Sequence, residues 1–314
     1  MPVQFTTGTI NQPDAGSVGL AMVEQIRDDL VAHAGWDLVE EYAPSGGVLK
    51  WYIFKNLAAS SGLASDYYFI IGRRLSDGTL FAHVAEEYNS GSKNIKYYTP
   101  FQNWFGGLVY DSLGRYTPEF TLSTTVPGSS PHPAYSIWTP SGTSTKWWMC
   151  VYDDLVVISF NGASNAYFQA GLYEVLAQTP IPMPIMVSGY STTHGTDFVC
   201  LTRNPAVAGA SWYAAALSGQ PARWLGWPGD WRWNDKLQNN QRPAGELGFA
   251  IYENSQGDRQ YQGSTIGKLR HMRGTDGQVP PAISFGDAFV LEDRLWVQWN
   301  PSFARIWDTG VASS

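Results

Sequence analysis

The arrangement of apolar and polar positions changes character once, early in the chain. From about residue 17 to residue 33, SVGLAMVEQIRDDLVAH, the residues Leu20, Val23, Ile26, Leu30 and Val31 fall on one stripe at helical spacing, and Glu24, Gln25, Asp28 and Asp29 lie off it. This spacing predicts an amphipathic helix packed on a sheet. Ser17 is placed to cap its start and Gly35 to stop it. A membrane-surface helix would carry Lys and Arg along its polar face, whereas this segment has a single Arg27. After Trp36 the pattern turns to strands. Segments 48–54, 67–74 and 79–88 are rich in β-branched and aromatic residues, and Asp77-Gly78 between the last two is a strong hairpin signal. Segments 147–152 and 155–160 flank Asp153-Asp154, and Asn161-Gly162 marks the next turn. Short strands are expected at 198–201, 211–216 and 247–252. A third hairpin joins 287–291 to 294–299 through Glu292-Asp293, and 304–308 is placed to close the sheet.

Many short strands with frequent turn signals predict a mainly β protein of sandwich or barrel-like sheets with one N-terminal amphipathic helix. Three stretches read as loops or arms: 125–133 (TVPGSSPHP), 226–242 (GWPGDWRWNDKLQNNQR) and 273–281 (RGTDGQVPP). The first is a candidate junction between an N-terminal α+β unit, residues 1–120, and a larger β-rich unit, residues 121–314. The most apolar segment, 176–187, carries Pro180, Pro182 and Pro184, so it is expected to be extended or turning rather than helical.

Composition narrows the classes. Only 15% of the residues are charged, against roughly 25% in an average soluble domain. Aromatic residues make up 14%, with 14 Trp, which excludes a disordered chain. Two cysteines exclude a disulfide scaffold. Cys150 and Cys200 each lie in an apolar strand-like run and read as buried free thiols. A net charge of −7 with scattered Lys and Arg lacks the electrostatic footprint of a nucleic-acid binder. The opening residues, MPVQFTTGTINQPDAG, do not read as a signal peptide, and no stretch reaches the length of a transmembrane helix.

Candidate chemistry is sparse. The sequence has no G-x-S-x-G, phosphate-loop, H-E-x-x-H or G-x-G-x-x-G motif. His33, His83, His132, His194 and His271 are scattered, with no pair at ligand spacing. Neither a catalytic residue, nor a metal ligand, nor a cofactor is therefore expected. Glu86-Glu87 invites comparison with glycosidase carboxylates, but adjacent strand residues face opposite sides, and a solvated surface is the expected setting for both. The cluster Trp224, Trp227, Trp231 and Trp233 is the most unusual local feature. Such aromatics suit either an interface between subunits or the stacking of a sugar ring, and the interface is the expected reading.

Several segments taken in order resemble a family of virion structural proteins of tailed bacteriophages and prophages. These are MPVQFTTGTI followed by a helix and GWDLVEEY, then VLKWYIFKN and DYYFIIGRR with a hairpin. Further on come WWMCVYDDLVVISFNGASNAYFQAGLYEVL leading to TPIPMPIMVSG, and GKLRHM before FGDAFVLEDRLWVQWN. The likeness is one of arrangement, spread over most of the chain, and it transfers no catalytic residue. It implies a non-enzymatic structural subunit of the tail, baseplate or neck, assembled in the host cytoplasm. Its expected partners are copies of itself in a symmetric ring and other virion proteins, with no sequence-specific nucleic acid and no membrane anchor. A carbohydrate-binding receptor-recognition protein is the alternative, and a hydrolase of surface polysaccharide stands behind it.

Overall fold

The structure, a computed structural model, describes residues 3–44, 49–57, 66–98, 111–112, 115, 117–122, 135–161, 166–175, 181–188, 198–201, 245–246, 248–252, 259–264, 270–273, 286–291, 294–300 and 305–312. In chain order its elements begin with β1 (Gln4–Asn11), the helix α1 (Ala15–Ala32), β2 (Trp36–Tyr42), β3 (Leu49–Asn56), β4 (Tyr67–Arg74), β5 (Leu80–Asn89), β6 (Asn94–Tyr98) and β7 (Phe120–Thr121). They continue with β8 (Tyr135–Trp138), β9 (Ser144–Val151), β10 (Leu155–Phe160), β11 (Ala166–Val175), β12 (Ile181–Ser188) and β13 (Phe198–Leu201). The last are β14 (Gly245–Glu246), β15 (Gly248–Tyr252), β16 (Arg259–Ser264), β17 (Arg270–Arg273), β18 (Ala288–Leu291), β19 (Arg294–Asn300) and β20 (Arg305–Ala312). The protein is thus mostly β-sheet with one N-terminal helix, as its pattern predicts.

Among the described residues three sheets form, all with antiparallel neighbours. The first has the order β1-β9-β10-β11-β12-β13, with β16 beside the end of β11 and β15 beside β16. The second runs β2-β3-β4-β5-β6-β7, with β8 also on β5. The third runs β14-β17-β20-β19-β18. Among the described residues, pairing crosses sequence position 120 through β1 with β9, β8 with β5 and the Asn94↔Thr121 pair of β6 with β7.

The turn chemistry explains the hairpins. At Asp77-Gly78 the Asp77 carboxylate accepts from the Thr79 amide at 3.0 Å and from Arg74 at 2.8 and 2.6 Å, and Gly78 has φ +74°. That left-handed backbone favours glycine. The Asp153-Asp154 turn is closed by the Tyr152 amide donating to the Leu155 carbonyl at 2.8 Å. Leu291 pairs with Arg294 across the third hairpin.

The helix differs in detail from its prediction. It spans Ala15–Ala32, and its cap is Asp14 rather than Ser17. The Asp14 carboxylate accepts the Ser17 amide at 2.8 Å and the Ser17 hydroxyl at 3.0 Å, so Ser17 occupies the first turn as the capped residue. The buried stripe is Val18, Met22, Val23, Ile26 and Leu30; Leu20 is half-buried and Val31 is 52% exposed. The shift has a physical cause. The helix packs on β1 and β9 of the first sheet as well as on β2 and β4 of the second, so its buried face is centred between them. Gly19 lets it come close to the β4–β5 turn: a Cβ there would fall on the Gly78 carbonyl.

The main core lies between the first two sheets. Phe69 of β4 stacks on Phe168 of β11 with ring centres 5.7 Å apart, and Trp138 of β8 stacks on Phe160 of β10 at 4.8 Å. Tyr52, Phe54, Met149 and Ile158 fill the space around them, fully buried. Each such side chain contributes about 1.5–3 kcal/mol by leaving water. A second cluster, including Trp51, Ile53, Ile70, Phe81 and Ile95, buries the opposite face of the second sheet. At one end the sheets are joined by polar bonds to the β9–β10 turn. Trp36 Nε1 donates to the Tyr152 carbonyl at 2.9 Å, Asn56 Nδ2 to the Asp153 carbonyl at 2.8 Å, and the Tyr67 hydroxyl to the Asp154 carbonyl at 2.7 Å. The third sheet meets the other side of the first. There the Tyr152 hydroxyl donates to the Thr309 carbonyl at 3.0 Å, and Lys146 pairs with Asp287 at 2.7 Å. Cys150 is a buried free thiol, as expected, and Cys200 lies in β13.

Candidate functional site

Two features of the surface stand out, a polar groove on the second sheet and the outer edge of the first. The groove, about 640 Å³, is lined by β4, β5 and β6 with residues just outside them, including Tyr68, Glu86, Glu87, Tyr88, Lys96 and Glu119. The Tyr68 and Tyr88 rings lie 6.0 Å apart, tilted by 58°. Lys96 pairs with Glu119 at 2.6 Å, and Asn94 Nδ2 donates to the same carboxylate at 2.8 Å. These bonds hold the Glu119 carboxyl below its usual range, while its partnership raises the Lys96 ammonium. Burial and a hydrogen bond to Glu40, 2.6 Å away, push the Tyr88 phenol well up. Glu87 is exposed, as strand alternation predicts, but Glu86 is only 7% exposed and so is not the solvated residue expected. The groove combines aromatic edges with carboxylates and an amide, a lining suited to a polyhydroxylated ligand.

The edge feature is built by β1. Its pairing with β9 is continuous from Gln4↔Val151 to Asn11↔Ser144, with no bulge. One step further, the Gln12 amide donates to the Thr143 carbonyl at 2.7 Å. Antiparallel ladders alternate bonded and non-bonded pairs, so Gln4, Thr6, Gly8 and Ile10 turn their N–H and C=O groups toward β9. The bond from the Asn161 amide to the Lys146 carbonyl, 2.8 Å, sets the same parity on β9: its even-numbered residues bond β10 and its odd-numbered ones bond β1. Phe5, Thr7, Thr9 and Asn11 therefore direct their backbone groups away from β9, where β1 has no strand neighbour among the described residues. Thr7, Thr9 and Asn11 are exposed. The strand, QFTTGTIN, contains no charge and no proline.

Strand β2, the long edge of the second sheet, is the opposite case. It carries Asp37, Glu40 and Glu41, and its register slips between Leu38 and Glu40. Glu40 is held by Lys93 and Tyr88, and Glu41 by Lys50 at 2.7 Å. Charge and a bulge blunt an edge against foreign strands; β1 has neither.

The sequence singles out Trp224, Trp227, Trp231 and Trp233, and the arm 226–242 that carries most of them; these, together with the expected strand at 211–216 and the stretch 125–133, lie outside the described residues. The free β1 edge was not among the sequence-predicted sites. Among the described residues no group of three His, Cys, Asp or Glu side chains is arranged to hold a metal ion, and no helix is long and apolar enough to cross a membrane. No protein-family model matches the chain, and no curated protein matches it.

Proposed function

We propose that this chain is a non-enzymatic structural subunit of a tailed-phage virion, in the tail, baseplate or neck, acting through contacts between subunits. The observation that carries this reading is β1: an eight-residue, uncharged, unbulged edge strand with its outer backbone groups unpaired by any described strand. Monomeric proteins blunt such edges, whereas a building block can use one. The low charge and high aromatic content support the same reading, as does the ordered resemblance to phage virion proteins. The test is density-gradient purification of the particles made by the phage or prophage encoding the chain, followed by quantitative mass spectrometry. A fixed copy number per particle is expected; a chain found only in the soluble fraction overturns the proposal.

The groove favours a second reading, recognition of a surface carbohydrate, because Tyr68 and Tyr88 stand beside hydrogen-bonding carboxylates. Binding on a glycan array that is lost with Tyr68→Ala would establish it. A silent array would leave the groove as surface relief.

A further inference from the structure

We infer that β1 pairs with β1 of a second copy of this chain, antiparallel across a two-fold axis through Gly8, joining the first sheets of two subunits into one. The inference rests on the reading of the chain as an assembly subunit and names the surface and the partner.

The parity of the ladder fixes which pairings are possible. Phe5, Thr7, Thr9 and Asn11 point their backbone groups outward. A two-fold axis normal to the sheet keeps each face on its own side, and it must match outward-bonding residues with outward-bonding residues. Centring the axis on Gly8 sets Phe5 opposite the second copy's Asn11 and Thr7 opposite its Thr9. All four outward residues are then used twice, giving about eight inter-strand hydrogen bonds. A shift by a single residue between the copies would oppose outward-bonding residues with inward-bonding ones and make none. Gly8 falls at the axis as a non-bonded pair, where Cα atoms approach most closely, and it has no side chain to obstruct that approach.

The occupant is a second copy because β1 is self-complementary and the other long edge is not. In this pairing every cross-strand contact is neutral, with Thr opposite Thr and Phe opposite Asn. Strand β2 would set Glu40 and Glu41 against any copy of itself, and its bulge breaks the ladder. Among the described residues the remaining edge strands are shorter: β7, β8, β13, β14 and β18 have no more than four residues, and β15 has five, with a register shift between Phe249 and Ala250. Isologous contacts of this kind are the commonest in oligomers. A single strand pair is a small interface, so the dimer in solution should be weak and visible through its concentration dependence.

The test uses the full chain in sedimentation equilibrium over a wide concentration range. The wild type should show a monomer–dimer equilibrium. Thr7→Lys together with Thr9→Lys places like charges directly opposite each other and should raise the dissociation constant at least about tenfold, and Thr7→Glu together with Thr9→Glu should do the same. Neither residue's backbone groups bond β9, but the Thr7 hydroxyl donates to the Trp147 carbonyl at 2.8 Å and to the Gly286 carbonyl at 3.4 Å. Each double variant should therefore melt somewhat below the wild type, and the charge effect on dimerisation is read against Thr7→Val, which loses the same bonds without adding charge. Mixing the Lys and Glu variants should restore dimers of mixed composition, a result that only β1-to-β1 contact produces. A wild type that stays monomeric at every concentration, Lys variants that dimerise unchanged, or failure of the mixture to recover would each overturn the inference. Thr9→Pro removes one outward N–H and serves as a second variant should the Lys pair fold poorly; it too should weaken the dimer. Copy number in purified particles is read separately, so a chain present in the particle with no β1 contact would sink this inference and leave the virion role standing.

Discussion

Strands β1 and β2 flank the same helix and end two different sheets, yet they treat their free edges in opposite ways. On the β2 side, Glu41 binds Lys50 at 2.7 Å and lies 3.5 Å from Arg27 of the helix, and Glu40 is held by Lys93 and Tyr88. On the β1 side the link to the helix is a nearly buried carboxylate: the Thr6 hydroxyl donates to Asp29 at 2.6 Å, and Gln25 Nε2 donates at 3.1 Å. The two sides also respond to acid with opposite sign. Burial pushes the Asp29 carboxyl above its ordinary range, whereas bonds from Lys93 and Tyr88 hold the Glu40 carboxyl below it. The difference teaches that a β edge is not a default state. One edge has been charged and bent while the other is kept straight and neutral, within one stretch of about forty residues.

The most severe way to break the comparison is to remove the helix that separates the two edges. Ile26→Asp would place a carboxylate at a fully buried position on α1. The expected penalty is about 3–5 kcal/mol, a large share of a typical folding stability, so soluble yield should collapse; a variant that expresses and melts like the wild type would refute the packing described. Next, Asn56→Ala removes a donor shared by the Gly35 and Asp153 carbonyls and should lower stability by about 1–3 kcal/mol in urea denaturation. Gly19→Ala forces the helix off the β4–β5 turn and should cost about 1–3 kcal/mol by the same measurement.

The smallest effects sharpen the contrast in pH. The raised Asp29 carboxyl contributes stability that is fully present below its unfolded value and is lost as pH rises through the folded one. Replacing it with Asn should flatten the stability profile above the ordinary carboxylate range. The lowered Glu40 carboxyl contributes stability that is present above its unfolded value and lost as pH falls through the folded one. Glu40→Gln should therefore weaken the protein at neutral pH, by no more than about 1 kcal/mol, and leave it unchanged in acid. Denaturation series from about pH 3 to pH 7 on both variants would show the two opposite slopes, and parallel slopes would contradict the assignment.

What could be read in advance was local. Asp77-Gly78 and Asp153-Asp154 announce their hairpins because turn chemistry acts within four residues, and β4 and β10 are found where their β-branched and aromatic runs beside those turns predict. Strand β1 escaped notice because Thr and Gly dilute its apolar contrast to one Phe and one Ile. Its importance also depends on a pairing with β9 across 140 positions, which no local pattern encodes. The groove was half legible. Alternation correctly separates Glu86 from Glu87, but that Glu86 is buried follows from the way β4, β5 and β6 come together.

The pairing of β1 with β9 also sets a timetable for synthesis. Thr7 and Trp147, bonded in the finished protein, leave the ribosome 140 residues apart. At roughly 5–20 residues per second, that is a wait of roughly 7–28 s during which β1 has been made and its sheet has not. The second sheet can close through β2–β5 in that interval, and α1 can settle on β2 and β4 with one flank still uncovered. A nascent strand that is neutral and unprotected on both sides invites capture by its neighbour on the same messenger, so crowded polysomes and slow translation between residues 100 and 144 should favour misassembly over the native fold.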